Sequence, residues 1–430
     1  MFATIRNAWK IAELRKKLIF TLFILLIFRL GSAIPVPYVD VQALSTYFSS
    51  QLSGTILGLY NAMSGSAFSQ ATVFALGIQP YINSSIIIQL LTIAIPYLER
   101  LSKEGGEEGK KKLQRISRYT TLALALLMGW AYYMMLANQS GLLTTTGFLA
   151  GLVVVLSFTG GACLVMWLGE QIDKDGIGNG ISMILFAGII SRIPQQVGSL
   201  FNGLFVTKTL AWYLALALVV GVALLVIVIV FITNSERRIP VQYAKRVVGR
   251  KMYGGQSSHL PIKVNMSGVL PVIFAQSIAS LPATVMAFTG TPEAGFWAFM
   301  NKWFFSSESI VYIVVYFFLI IGFSYFYSTI QFNPIEIANN MKKNGGFIPG
   351  FRPGKPTSDF IAKVINKVTL FGAIYLAFVA LLPLVLGAVI KDNTLAIGGT
   401  SVIIVVGVAL EAVKALEAQM LMRHYKGFLE

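Results

Sequence analysis

Long apolar runs alternate along the chain with short polar or basic breaks, and the runs share a length. About 20 apolar residues in a helix cross the hydrocarbon core of a bilayer. Runs of that size fall near 18–37, 71–98, 119–137, 147–169, 179–198, 211–233, 264–289, 309–332, 364–390 and 398–416. They predict an all-α polytopic membrane protein of ten transmembrane helices, because a helix satisfies its own backbone hydrogen bonds in lipid. The first run is too long for the apolar region of a secretory signal, and no small-residue cleavage site follows it.

One stretch departs from this pattern: Asn61 to Arg100, NAMSGSAFSQATVFALGIQPYINSSIIIQLLTIAIPYLER. In 61–70 only Met63 and Phe68 are large and apolar, so this piece forms at most a short turn of helix and needs protein around it. From 71 to 98 the chain is apolar enough to cross, yet carries Gln79, Pro80, Asn83, Ser84, Ser85 and Gln89. Polar groups facing lipid are costly to desolvate, so this span is expected to turn a polar stripe toward protein or a water-filled cavity.

Composition and charge add orientation. With 430 residues, 56% apolar and 12% charged, the chain is no ordinary soluble domain. Its net charge of +16 is unevenly placed. With the N-terminus inside, the basic clusters in 6–17, 100–118, 237–251, 342–355 and 423–426 all face inward, and only Arg192, Lys208, Lys302 and Lys391 face outward. The positive-inside rule then puts both termini in the cytoplasm. The single cysteine, Cys163, lies inside a span and allows neither an internal disulfide nor a cysteine metal site.

Between the spans, residues 4–17 read as an amphipathic surface helix with Ile5, Ala8, Trp9 and Ala12 on one side. Arg29 either snorkels to the interface or faces protein. The 99–118 segment reads as a solvated hairpin, and Gly176, Gly178 and Gly180 as a tight turn with Asn179 opening the next helix. No strand precedes those glycines, as a dinucleotide fingerprint requires. The inner loop 234–262 alternates through Ile239, Val241 and Tyr243, which suggests extended, hairpin-like structure. Its bases serve either topology and anionic lipid or the docking of a cytosolic partner. In the second inner loop, 333–359, Asn333 and Pro334 open a helix, Gly345 and Gly346 stop it, and two Pro-Gly pairs hold Arg352 in a tight bend. The ten spans divide into halves, 1–200 and 201–430, of opposite orientation, and such inverted halves clasp a pathway between them.

Enzyme chemistry finds no purchase in this sequence. His259 and His424 are far apart and lack HExxH spacing, and no serine-nucleophile motif or phosphate loop occurs. Glu170, Asp173 and Glu411 lie toward span ends, whereas an ion-coupled transporter needs a charged relay at the midplane. A secondary small-molecule transporter and a membrane-embedded enzyme are therefore both disfavoured.

The segments FALGIQPYINSSIIIQLL, WLGEQIDKDGIGNGIS, YAKRVVGRKMYGGQSSHLPIKVNMSGV, QFNPIEIANNMKKNGGFIPGFRPG and GGTSVIIVV, in this order, resemble the SecY family, the channel subunit of the bacterial protein-export translocon. The resemblance covers almost the whole chain. It implies two inverted five-helix halves around a central pore, with an apolar ring of Ile78, Ile82, Leu185, Ile273 and Ile404 at the waist. The family commonly has isoleucine at these places, so Leu185 is a mild departure. Ile78 and Ile82, four apart, share one helix face. It implies further that residues about 60–70, with Asn61, Met63, Ser64, Gly65, Ser66 and Phe68, form a plug. Asn83, Gln89 and Asn265 then belong to a lateral gate, and Lys245, Arg246, Arg250, Lys251 and Arg352 dock a SecA motor ATPase or a ribosome. Other implied partners are the SecE and SecG membrane subunits, a translocating preprotein with its signal sequence, and membrane lipid. No cofactor is implied, and the implied location is the bacterial cytoplasmic membrane.

Overall fold

A computed structural model describes residues 2–49, 56–139, 141–145, 147–206, 212–243, 246–248, 251–253, 257–266, 268–289, 309–390 and 398–426. The first half contains α1 (Phe2–Lys10), α2 (Ala12–Gly31), α3 (Val41–Tyr47), α4 (Ile56–Met63), α5 (Gln79–Ala94), α6 (Pro96–Lys103), α7 (Gly106–Ala137), α8 (Phe148–Asp175), α9 (Gly180–Ile190) and α10 (Ile193–Phe201). The second contains α11 (Trp212–Asn234), β1 (Glu236–Tyr243), β2 (Arg246–Val248), β3 (Lys251–Tyr253), β4 (Ser257–Lys263) and α12 (Leu270–Thr289). It continues with α13 (Ile310–Gln331), α14 (Pro334–Lys343), β5 (Gly346–Phe347), α15 (Lys355–Ile390) and α16 (Gly398–Lys426). Every predicted span falls on a helix. Among the described residues six helices are long and apolar enough to cross a membrane, and a seventh is the pair α5 and α6, bent by 106°.

That bend corrects the expected continuous span over 71–98. Residues 71–78 are irregular, α5 begins only at Gln79, and the helix breaks again before Pro96. Pro80 sits in the first turn, where its missing N–H is not needed. Ile95, preceding Pro96, is pushed to extended backbone (φ −108°, ψ 113°). The irregular piece survives inside the membrane because its backbone is paired: Val36 N–H donates to Ala71 O at 2.9 Å and Val73 N–H to Ile34 O at 2.9 Å. Phe74 stacks on Phe28 of α2 with ring centroids 5.9 Å apart. It lies over Gly31, where any Cβ would overlap the Phe74 ring.

Two further expectations change. The 99–118 segment is helix rather than an open hairpin: α6 and α7 meet at a break around Glu104 and Gly105, and the polar stretch from Gly106 to Arg118 is continuous with the apolar part of α7. Glu107 and Glu108 suit its first turn through the helix dipole. Residues 4–17 do not form one surface helix either. The chain breaks at Ile11, and Ala8 and Leu14 pack with Ile177 and Leu416, so this segment docks on protein while Ile5 and Trp9 stay exposed.

Outside the spans the inner loops form a small sheet in the order β4-β1-β5. β1 pairs antiparallel with β4, Ile239 opposite Leu260. It also pairs with β5, Gln242 opposite Phe347, so the two inner loops become one body. Ile239 and Val241 point into a core with Ile262, Ala338, Met341, Ile348, Ile361 and Ile365. Tyr243, the third alternating position, is exposed instead. The expected turns hold: Asn179 Oδ1 accepts from Ser182 N–H at 3.1 Å, and Asn333 Oδ1 from Ile335 N–H at 3.1 Å.

Candidate functional site

The proposed ring residues come from four helices and meet in one apolar core. Ile78 precedes α5 and Ile82 lies in its first turn, Leu185 is on α9, Ile273 on α12 and Ile404 on α16. None is more than 3% exposed. Such a core can seal; it offers no nucleophile, base or metal ligand.

Directly against it lies the stretch that followed the opening anomaly in the sequence. Asn61, Met63, Ser64 and Phe68 are buried, each 4 to 6% exposed. The backbone from Ser64 to Gly77 is a knot rather than a helix. Gly65 (φ +69°), Ser66 (φ +72°), Ala71 (φ +43°) and Gly77 (φ +54°) are left-handed. Its polar groups are satisfied from within: Asn61 Oδ1 accepts from Ser69 N–H at 2.9 Å, and Ser64 Oγ donates to Asn61 O at 3.2 Å while accepting from Phe68 N–H at 3.2 Å. Three outside contacts hold the knot in place. Tyr132 Oη donates to Phe68 O at 2.6 Å, with the two rings 4.5 Å apart. Arg29 Nη1 donates to Gly65 O at 3.2 Å, so this intramembrane arginine faces protein. Gly188 on α9 lets the knot approach so closely that a Cβ there would collide with the Met63 carbonyl.

α12 packs against α4, α5 and α7, forming a seam along the polar stripe of α5. On that seam Gln89 of α5 accepts a hydrogen bond from Tyr327 Oη of α13 at 2.7 Å. Phe274 of α12 meets the Tyr327 ring at 5.1 Å. Asn83 is buried on α5. Asn265 is buried just before α12 beside Gly372 of α15, with Oδ1 unpartnered. The structure thus brings Gln89 to the seam and shows Asn265 against its own half. The partners of Tyr327 and Gln276 lie 238 and 213 residues away and the Met63 partner of Gln79 lies 16 away, and no local pattern in the sequence joins them.

On the inner side, Arg352 is exposed at the tip of a bend. Its carbonyl accepts from Thr357 Oγ1 at 2.8 Å, Gly350 (φ +87°) and Gly354 (φ +109°) flank it, and Phe351 packs on Phe360 at 4.2 Å. Arg246 and Lys251 start the paired strands β2 and β3. Lys245 and Arg250 lie outside the described residues.

Comparison with known proteins agrees with this geometry. The SecY family model matches residues 72–413. The chain is 42% identical over 447 residues to the protein translocase subunit SecY of Streptomyces scabiei, covering 100% of both. To that of Mycobacterium bovis it is 43% identical over 451 residues, again covering 100% of both. In fold it is similar to a solved protein-conducting channel (TM-score 0.67, 17% identity, 94% of this chain and 92% of that one). It is similar also to a structure described by how the plug domain of SecY stabilises the closed channel and maintains a membrane seal (TM-score 0.65, 19% identity, 94% and 92%). A third likeness is to canine Sec61 in a ribosome–channel complex from the endoplasmic reticulum (TM-score 0.63, 16% identity, 94% and 92%). With a family match over most of its length and full-length identity to translocase subunits, the chain belongs to the SecY family of protein-translocating membrane channels and is not an enzyme.

Proposed function

We propose that this channel is captured here with its pore shut, and that the halves 1–200 and 201–430 part to open it. The burial of Ile78, Ile82, Leu185, Ile273 and Ile404 in one core carries this reading. Apolar side chains of this kind close around an unfolded chain and limit leakage of water and ions beside it. The Asn61–Phe68 segment is the plug; much of its hydrogen bonding is internal, so that leaving frees chiefly the Gly65 and Phe68 carbonyls from Arg29 and Tyr132. Separation of α5 from α12 and α13 at Gln89 and Tyr327 forms the lateral gate, through which signal sequences and apolar segments reach lipid; Asn83 and Asn265 border it.

The fused sheet of the two inner loops is the docking platform. Its own core fixes it, and the bend at Arg352, the separate β2–β3 pair that carries Arg246 and Lys251, and the neighbouring sequence positions Lys245 and Arg250 supply positive charge for a ribosome or a SecA motor ATPase. SecE and SecG are the expected membrane partners, and the bacterial cytoplasmic membrane, with both termini inside, the expected location.

The test places Ile82→Cys in a Cys163→Ser background and seeks a disulfide to a cysteine in a translocation-stalled preprotein. A crosslink that needs motor and ATP puts the moving chain at the ring. Silence at both Ile82 and Ile78, with stalling demonstrated, overturns the assignment of the ring.

A further inference from the structure

Two glutamines from opposite halves converge on a single atom of the plug. Gln79 Nε2 lies 3.4 Å from the Met63 sulfur, and Gln276 Nε2 lies 3.2 Å from it. Both side chains are buried at 6% exposure, and Oε1 of each has no hydrogen-bond partner. A buried amide left half-satisfied is costly. The contact that both amides share is the thioether.

Their positions relative to the ring are matched. Gln79 precedes Ile82 by one turn on α5 and Gln276 follows Ile273 by one turn on α12; with the termini inside, as the positive-inside rule places them, α5 runs inward and α12 outward. Side chains three apart on a helix lie on one face. Each glutamine therefore stands one turn outward of a ring isoleucine, on the pore side of its helix. The other fastenings of the plug, Arg29 on Gly65, Tyr132 on Phe68 and Gly188 beneath Met63, all come from the first half. Gln276 reaches the plug across the seam.

We propose that Gln79 and Gln276 are plug-positioning residues that grip Met63 together only while α5 and α12 remain adjacent, so that parting of these helices unlatches the plug. The inference rests on the plug and gate reading given above. Sulfur is a weak acceptor, and a catch that must yield to every arriving substrate is served by weak bonds. Opening the gate separates the two donors, and one of them must let go of Met63. The seal and the side exit are thereby linked through one thioether.

The experiment measures resting ion leak through the full chain reconstituted in vesicles, with no substrate added. Deletion of residues 61–68 is expected to raise the leak most. Gln276→Leu, which removes one of the two contacts, is expected to raise it about fivefold, the weight of one net hydrogen bond, and Met63→Leu, which keeps the volume but removes the acceptor of both, to raise it further. The double variant is expected to leak no more than Met63→Leu alone, since that change has already removed the Gln276 bond. Should Gln276→Leu fail to assemble, Gln276→Met tests the same contact with an unbranched chain. A second readout labels Ser66→Cys in the Cys163→Ser background with an impermeant maleimide from outside; Gln276→Leu is expected to expose it without a signal sequence. If the deletion leaks while both single variants stay sealed, or if their effects multiply, the latch is wrong and the plug stands. If the deletion itself stays sealed, the plug reading falls and the latch with it.

Discussion

The knot from Asn61 to Gly77 and the helix α11 follow opposite rules. Up to Gln70 the knot is built mostly of small and polar residues, yet most of it is buried. α11 is nearly all large and apolar, and it is exposed: Val219 at 61%, Ile227 at 67% and Phe231 at 74%, with Ile229 as its buried contact to the core. In water the two compositions would trade places. In lipid, apolar surface gains little by being covered, and what drives a segment inward is its need to satisfy its backbone and pack closely. The knot is inside because it cannot be anywhere else, and α11 is outside because nothing calls it in.

Glycines give the sharpest way to break this comparison. Gly188→Val drives a Cβ into the Met63 carbonyl, whereas a Cβ on Gly221 of α11 meets nothing within 4 Å. Overpacking of this kind costs about 1–3 kcal/mol or more. Gly188→Val is expected to raise the resting leak at least tenfold and Gly221→Val to leave it unchanged; equal effects would erase the contrast.

Charge supplies the next test. Glu170 of α8, its side chain 6% exposed, is held by Arg118 of α7 through Nη2 at 2.8 Å and Nε at 2.9 Å, with Gln114 Nε2 at 3.3 Å. Arg118→Ala leaves that carboxylate buried without its cation, and a loss of about 3 kcal/mol is expected, read as a lower thermal midpoint in detergent. Lys110→Ala removes only an exposed pair with Glu107 at 3.8 Å and is expected to change nothing measurable.

A smaller effect is expected at the seam. Tyr327→Phe removes the bond to Gln89, worth about 1 kcal/mol in a membrane interior, and so is expected to ease lateral entry of weakly apolar signal segments in a translocation assay. Phe318→Leu, on the lipid face of the same helix at 64% exposure, is expected to leave entry as it was. The smallest change is Ile227→Val on α11, for which neither leak nor thermal midpoint is expected to move.

What the sequence revealed and what it concealed divide along the same physical line. Helix within each predicted span, the Asn179 and Asn333 caps and the inward pair Ile239 and Val241 all rest on local pattern, and all are present, although 71–98 is helical only from Gln79. The late start of α5 was hidden because residues 72–78, TVFALGI, are as apolar as a helix would be, and hydropathy does not distinguish buried irregular backbone from helix. The inward extension of α7 was hidden for the opposite reason: a helix standing in water has no need to be apolar. Gln276 and Tyr327 were invisible because their partners are 213 and 238 residues away, and no local rule joins them. Gln79 showed itself as a polar intruder in an apolar run, but not what it would touch.

The anchoring of Ala71 and Val73 to Val36 and Ile34 has a kinetic consequence. It pins one end of the proposed plug inside the funnel, so that a released Met63 strays no farther than about 28 Å even with the chain to Ala71 fully drawn out. A stopper on so short a leash is present at its seat at an effective concentration of roughly millimolar. After a polypeptide clears the pore, the wait for resealing is then the time of a loop swinging home, nanoseconds to microseconds, and a weak catch suffices because its partner is never lost.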